Sequence, residues 1–447
     1  MIGEEMSYNN NYGAIVGSFG LKSIHYNNSE QGVKKNVEKV KGLSLFSATL
    51  FIAGEMAGSG VLALPRAIVN TGCIGIVLLI VFSINAAYGG VKLGHCWNIV
   101  EERYPEHREE TRNPYSIIAL KAVGKFGSSL VSHCIRFTLF GAGTVYLLLA
   151  SQMIQSLTGH VLPSINSCSY FVVIAVCIIL PMWLSSPKEF SLVGWGAILS
   201  TIVACVLFTI QIGVDANKSL RTVKHDVHGF HDFFLSFGTL LFAFGGASTF
   251  PTIQNDMLNK KQFPTSVTIA FILIMFLYVP ITIGGFFVYG EEVDSNITLS
   301  LSKSLLVDLG NILMIIHLVF AFLIVMNPVC QDVEEAFDIP KCFNWKRCAI
   351  RTAIVLLMIL VGESIPQFGK VLSLVGGSTI TLLTFVFPPL FYMKLYPDCE
   401  RRHIPLYERV YMWELIIIGI VGGCASTFSA INDIFTDSFT RPCYWIK

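Results

Sequence analysis

Residues 51–68 read FIAGEMAGSGVLALPRAI, and residues 237–253 read FGTLLFAFGGASTFPTI. In each, an apolar run of helical length is cut by small residues, Gly58-Ser59-Gly60 in the first and Gly245-Gly246-Ala247 in the second. A proline follows five residues after the last glycine of each break, Pro65 and Pro251. Glycine weakens a helix and admits backbone geometries closed to other residues. Proline lacks an N–H and suits the first turn of a helix that restarts after a gap. Broken backbone does not survive against lipid, so both breaks must line a protected cavity. Matched breaks in two halves of one chain point to the central binding site of a secondary transporter.

Composition places these segments in a membrane. Of 447 residues, 53% are hydrophobic and 14% charged, against roughly 25% charged in soluble domains. A net charge of +1, with no basic tract, gives no argument for nucleic acid. The twelve cysteines form no CxxC pair and no zinc spacing. The polar residues 1–42 hold no secretory signal peptide, so the first membrane helix would direct insertion.

Runs long enough to cross ~30 Å of hydrocarbon fall at 43–69, 73–95, 129–158, 169–185, 190–214, 232–253, 266–290, 304–332, 348–362, 369–396 and 409–433. That is eleven segments. The fourth and ninth are both short, as expected of two five-helix repeats, 43–214 and 232–396, followed by one extra helix at 409–433. With residues 1–42 in the cytosol, the cytosolic side holds 21 Lys and Arg and the opposite side 7, which sets the orientation. Residues 434–447 are then exofacial or lumenal. So are the sequons at Asn217 and Asn296, candidate glycosylation sites, whereas a third, Asn27, lies in the tail. Cys168 and Cys443 fall outside the cytosol too, where a disulfide is possible.

Several polar residues stand out. Glu55 lies three residues before the first break; a carboxylate at membrane depth costs ~2.5–3.5 kcal/mol or more and should face a cavity or a partner. It is a candidate for taking up and releasing a proton, against a structural role with neighbouring backbone or Arg136. Arg136 itself could snorkel to the cytosolic interface or pair with a buried carboxylate. Tyr146, near the middle of the third segment, could reach a bound carboxylate. His225, His228 and His231 stand three apart beside Asp226 and Asp232, a spacing that could hold a metal or sense an acidic lumen; a solvated loop is the simpler reading, and no metal site is assigned. Tyr12 to Ile15 and Tyr407 to Val410 fit a loose sorting pattern that recurs by chance. With no nucleophile elbow, paired histidine boxes, phosphate-cradling loop or ordered acid pair, the sequence does not read as an enzyme and calls for no cofactor.

The run GSGVLALPRAIVNTG, Gly58 to Gly72, resembles the first helix of the amino acid/auxin permease family, which includes vesicular inhibitory, proton-coupled and sodium-coupled neutral amino acid transporters and vacuolar transporters. The stretch from Phe237 to Pro264, with NDMLNKKQFP, is similar to the family's sixth helix and following loop. Asn327-Pro328 and VGGSTITLLTFVFPPLFYMKL at 375–395 resemble later helices. The resemblance implies an all-α polytopic fold of about eleven helices in the leucine-transporter-type 5+5 inverted repeat, with broken first and sixth helices. It also implies that free N–H groups at Gly58, Ser59 and Gly60 hold a substrate carboxylate, and a half-helix N-terminus does favour an anion. Phe244, Gly245 and Gly246 would face the rest of the substrate. Sodium-coupled members carry asparagine four residues before the first glycine, where this chain has Gly54, so the reading leans towards protons.

The expectation is a proton-coupled transporter of small neutral amino acids, in the plasma membrane or a lysosomal or vesicular one, whose partners are the amino acid, a proton and the bilayer. The rival is an amino-acid sensor that keeps the fold and signals without flux.

Overall fold

The computed structural model describes residues 42–445 except 109–110, 112, 160, 185–189, 219–222, 227, 341–342, 397–402 and 436–441. Asn27 and Tyr12 lie outside the described residues. The helices in chain order are α1 (Leu45–Met56), α2 (Ser59–Thr71), α3 (Cys73–Arg103), α4 (Pro114–Thr158), α5 (Ser167–Leu184), α6 (Phe190–Lys218), α7 (Phe230–Ala243), α8 (Phe250–Asn255), α9 (Phe263–Tyr289), α10 (Ile297–Ser300), α11 (Leu305–Ala336), α12 (Trp345–Ser364), α13 (Phe368–Val375), α14 (Phe387–Leu395) and α15 (Leu406–Phe435).

Each of the eleven apolar segments coincides with a helix or a helix pair. Among the described residues seven spans are long and apolar enough to cross a bilayer, and the bent pair α1/α2 makes an eighth. Segment six is also a pair, α7 and α8, with α7 short, and α5 is short as well. Segment nine, α12, carries Lys346, Arg347 and Arg351 in its first two turns. The third segment starts earlier than its apolar run suggests. Helix α4 begins at Pro114 and kinks at Gly124, whose φ of 85° suits glycine.

Helix α11 packs on α4 and α6, and α13 on α4 and α7, which gives the bundle a frame. Within it α1 lies on α9 and α6, while α2 lies on α7 and α9. This crossing sets the two broken segments side by side. Close approach between α7 and α13 depends on absent side chains: a Cβ on Gly376 would stand 2.0 Å from the Gly238 carbonyl oxygen, and one on Gly238 would stand 2.4 Å from that of Ser373. The chain after α13 widens into two π-turn stretches, Gly376–Ile380 and Leu382–Val386, a distortion that favours functional regions. Cys168 and Cys443 are joined in a disulfide, which pins the C-terminal segment to the start of α5.

Candidate functional site: two facing helix breaks

The first break falls at Ala57-Gly58, where ψ of Ala57 is 80° and Gly58 takes φ −146°, ψ −124°. Helices α1 and α2 meet there at 54°. Ser59 and Gly60 occupy the first turn of α2, which no side chain caps, so its leading N–H groups stay open to a ligand. The Ser59 hydroxyl is buried and unpartnered among the described residues. Pro65, expected to restart the helix, lies inside α2 and packs against Gly285 on α9, where a Cβ would come within 2.7 Å of its ring.

The second break runs from Phe244 to Thr249. Gly246 N–H donates to the Phe244 carbonyl at 3.0 Å, and Thr249 Oγ1 donates to the Gly246 carbonyl at 3.0 Å. Pro251 here does sit in the first turn of the restarting helix, α8.

Tyr278, on α9, ties the two breaks together. Its hydroxyl lies 2.6 Å from the Met56 carbonyl, at the end of α1, and 2.9 Å from the Ala243 carbonyl, at the end of α7. Both carbonyls belong to helix ends that have lost their in-helix donors, and one buried hydroxyl spans them. Sequence reasoning passed over Tyr278 because an aromatic residue in an apolar run reads as packing.

Gly60 does not face open space. A Cβ there would stand 2.7 Å from Ala243 Cα, so glycine at 60 lets α2 meet the end of α7. Gly246 is similarly enclosed, its Cβ position 2.7 Å from Phe250 and 2.9 Å from Met56; at Gly245 a Cβ would meet Ile380 at 2.7 Å. The Phe244 side chain, expected to face substrate, is fully buried, its ring 6.2 Å from that of Phe271 and 5.8 Å from that of Tyr278. Phe244 therefore packs against α9 at the break.

Glu55 is partly buried and has no hydrogen bond or ion pair among the described residues. Tyr146 is buried within electrostatic range of both Glu55 and Tyr278, so three polar groups from α1, α4 and α9 gather at the breaks. Arg136 is not among them; it pairs with Asp332 on α11 at 3.0 Å. His317, on α11, is a second residue that sequence reasoning missed. It is buried beside Gly58, where a Cβ would stand 2.9 Å from its Nε2. The signal was present, since an ionisable residue inside a membrane helix is a functional candidate by default.

An open cleft of about 1130 Å³ leads inward from one face, its walls including Arg66, Ser156, Ser236, Thr239, Lys370 and Ser373. Chain between α4 and α5, between α9 and α11, and near Asp433 surrounds its mouth. The opposite face is tied together by bonds among the described residues. There Leu43 N–H donates to the Asp256 carbonyl at 2.8 Å, and Leu258 N–H returns the bond to Leu43 at 3.0 Å. Lys260 bonds Glu101 at 2.5 Å and Asn255 at 2.8 Å, and Lys92 pairs with Glu408. Burial pushes the Asp256 carboxyl well above the usual carboxylate range, with nearby Lys260 pulling the other way.

The three loop histidines separate. His228 meets Glu291 at 3.0 Å, His231 the Ser429 carbonyl at 3.2 Å, and the His225 ring stacks on Phe286 at 4.2 Å. Asn217 is exposed near the end of α6. Asn296 is not available for glycosylation in the folded chain: it is fully buried, and its Oδ1 accepts from Thr298 N–H at 3.1 Å and Thr298 Oγ1 at 3.0 Å, capping α10.

Broken first and sixth spans that face each other within a helical frame define a leucine-transporter-type fold. The chain is similar to MhsT, solved with L-phenylalanine (TM-score 0.54, 12% identity, 86% of this chain and 98% of that one). It is also similar to a manganese transporter from Eremococcus coleocola (TM-score 0.51, 11% identity, 92% and 93%). In sequence it is 24% identical to the Arabidopsis thaliana amino acid transporters AVT1C, over 90% of this chain and 72% of that protein, and AVT1J, over 88% and 92%. The chain belongs to the transmembrane amino acid transporter protein family, whose signature matches residues 41–432. It is a multi-pass membrane transporter, not an enzyme.

Proposed function

We propose that this chain is a secondary active transporter of small neutral amino acids, driven by protons and working by alternating access. The observation that carries the reading is the pairing of the two breaks through Tyr278, which sets an uncapped helix start beside two helix C-terminal ends. The first turn of α2 takes the substrate carboxylate, since its N–H groups and the helix dipole both favour an anion. The ends of α1 and α7 take the ammonium, because carbonyls and the negative end of the dipole favour a cation. Between Leu45 and Val61 the only charged side chain is Glu55, and between Ser236 and Gln254 there is none, which suits a substrate without a charged side chain. Glu55, which has no hydrogen bond or ion pair among the described residues and lies within electrostatic range of Tyr146, is the candidate proton carrier.

A cleft open to one face, with the other tied together by the Leu43 clasp and the Lys260 and Lys92 pairs, fits one end state of alternating access. The Cys168–Cys443 disulfide supports assigning the open face to the exofacial or lumenal side, where disulfides persist. It agrees with the lysine and arginine bias, which sets the N-terminal residues in the cytosol. Uptake of labelled amino acids into proteoliposomes, with pH and sodium gradients imposed separately, tests the proposal. Accumulation driven by a pH gradient alone, and lost in Glu55→Gln, is expected. Binding without flux would favour the sensor reading, and accumulation only under a sodium gradient would refute proton coupling.

A further inference from the structure

His317 reaches the first break at Gly58, two residues on from the carbonyl that the tyrosine link holds. It is 1% exposed on the long central helix α11. Its Nδ1 lies 2.9 Å from the Ala197 carbonyl on α6. A carbonyl can only accept, so Nδ1 carries the proton and the tautomer is set. In the neutral ring Nε2 is then a bare acceptor. That atom faces Gly58, where a Cβ would stand 2.9 Å away, and has no protein partner among the described residues. The adjacent Ser59 hydroxyl is likewise buried and unpartnered. A buried, unsatisfied hydroxyl beside a ring nitrogen without a protein bond is costly unless something binds there.

We propose that His317 is the residue through which proton binding and substrate-carboxylate binding reinforce each other. The inference rests on the amino acid transport reading above. A proton entering from the open cleft is taken by Nε2, and the imidazolium keeps its Nδ1–H bond to Ala197. The new Nε2–H points at the break, beside the C-terminal end of α1, where the helix dipole favours a cation. A carboxylate held at the start of α2 lies across the same break. An imidazolium without a counter-charge is unfavourable at this depth, and the carboxylate supplies one, so each ligand lowers the cost of binding the other. Titratable groups on the surrounding elements include Glu55 on α1, Tyr146 on α4, Cys205 on α6 and Tyr278 on α9, and farther along the same helices Cys134 and Arg136 on α4, Asp215 on α6 and Tyr289 on α9. None of them bonds His317.

Two substitutions divide the functions of the ring. In His317→Asn the amide nitrogen replaces Nδ1 and keeps the bond to Ala197 while Nε2 is deleted. In His317→Gln an amide reaches the place of Nε2 but does not take up a proton. Each is measured in detergent by thermal stabilisation with glycine, L-alanine, L-serine and L-proline, beside wild type and Glu55→Gln. For wild type, affinity for the most strongly stabilising amino acid is expected to tighten about tenfold from about pH 7.5 to about pH 5.5. Both His317 variants should show a slope flattened to within about twofold, whereas Glu55→Gln, whose separate proton is read from gradient-driven accumulation, should keep the wild-type slope. A wild-type slope that persists in either folded variant overturns the proposal, as does a flat wild type or one that none of the four amino acids stabilises. A slope lost only in Glu55→Gln assigns the proton to Glu55, which overturns the role of His317 and leaves transport standing. A slope lost in the His317 variants of a protein that shows no gradient-driven accumulation upholds His317 and refutes the symport reading.

Discussion

Replacing Tyr278 with phenylalanine removes one buried oxygen and leaves the ring in place. The Met56 carbonyl keeps a second donor, Gly58 N–H at 2.9 Å, so the loss falls mainly on the Ala243 carbonyl. Leaving a buried acceptor unpaired costs about 1–3 kcal/mol. If that cost is confined to the state in which the breaks are tied, the conformational equilibrium shifts by roughly 5- to 150-fold. The expected result is a melting temperature lower by a few degrees and substrate affinity weakened by about tenfold or more. Tyr289→Phe is the control. It lies at the end of the same helix and loses a bond of equal length, 2.6 Å to Asp215 Oδ2, far along the chain from either break. Both variants should lose stability, and only Tyr278→Phe should lose affinity. Equal affinity loss in the two, or none in Tyr278→Phe, would refute the idea that this hydroxyl positions the site.

Gly60→Ala should sharply reduce the yield of folded protein, because the new methyl meets the Ala243 backbone at 2.7 Å; Gly213→Ala, with open space around it, should be neutral or stabilising by up to about 1 kcal/mol, both read from thermal melts. Asp256→Asn should raise the melting temperature most at alkaline pH. Burial raises this carboxyl in the fold, so the stability it contributes is present at low pH and lost as pH rises through its folded value; an equal effect of the substitution at pH 5 and pH 8 (roughly the ends of the accessible range) would contradict that. Peptides containing Cys168 and Cys443 should remain linked until reduced, and tags at the two termini should be cleaved from opposite sides of sealed vesicles; both ends on one side would overturn the odd number of crossings.

The sequence by itself determined the class of the molecule, the eleven apolar segments and the positions of both breaks. These are local properties: apolar length reports a span, and clustered glycine reports backbone freedom, wherever the rest of the chain lies. The sequence placed Cys168 and Cys443 on one side of the membrane and left their bonding open; the fold, which brings their Cα atoms within 5.9 Å, joins them. Only the tertiary structure decided what each break touches. Gly58 and Gly60 look alike in the sequence, yet one accommodates an imidazole from α11 and the other the backbone of α7. Phe244 looked like a pocket wall and is packed in the core, while Asn296 looked like a sequon and is a helix cap. Tyr278 and His317 lie more than two hundred residues beyond the first break. They act on it through contacts that exist only once α9 and α11 are docked, and no local pattern records which hydroxyl or imidazole a distant helix brings to a broken one.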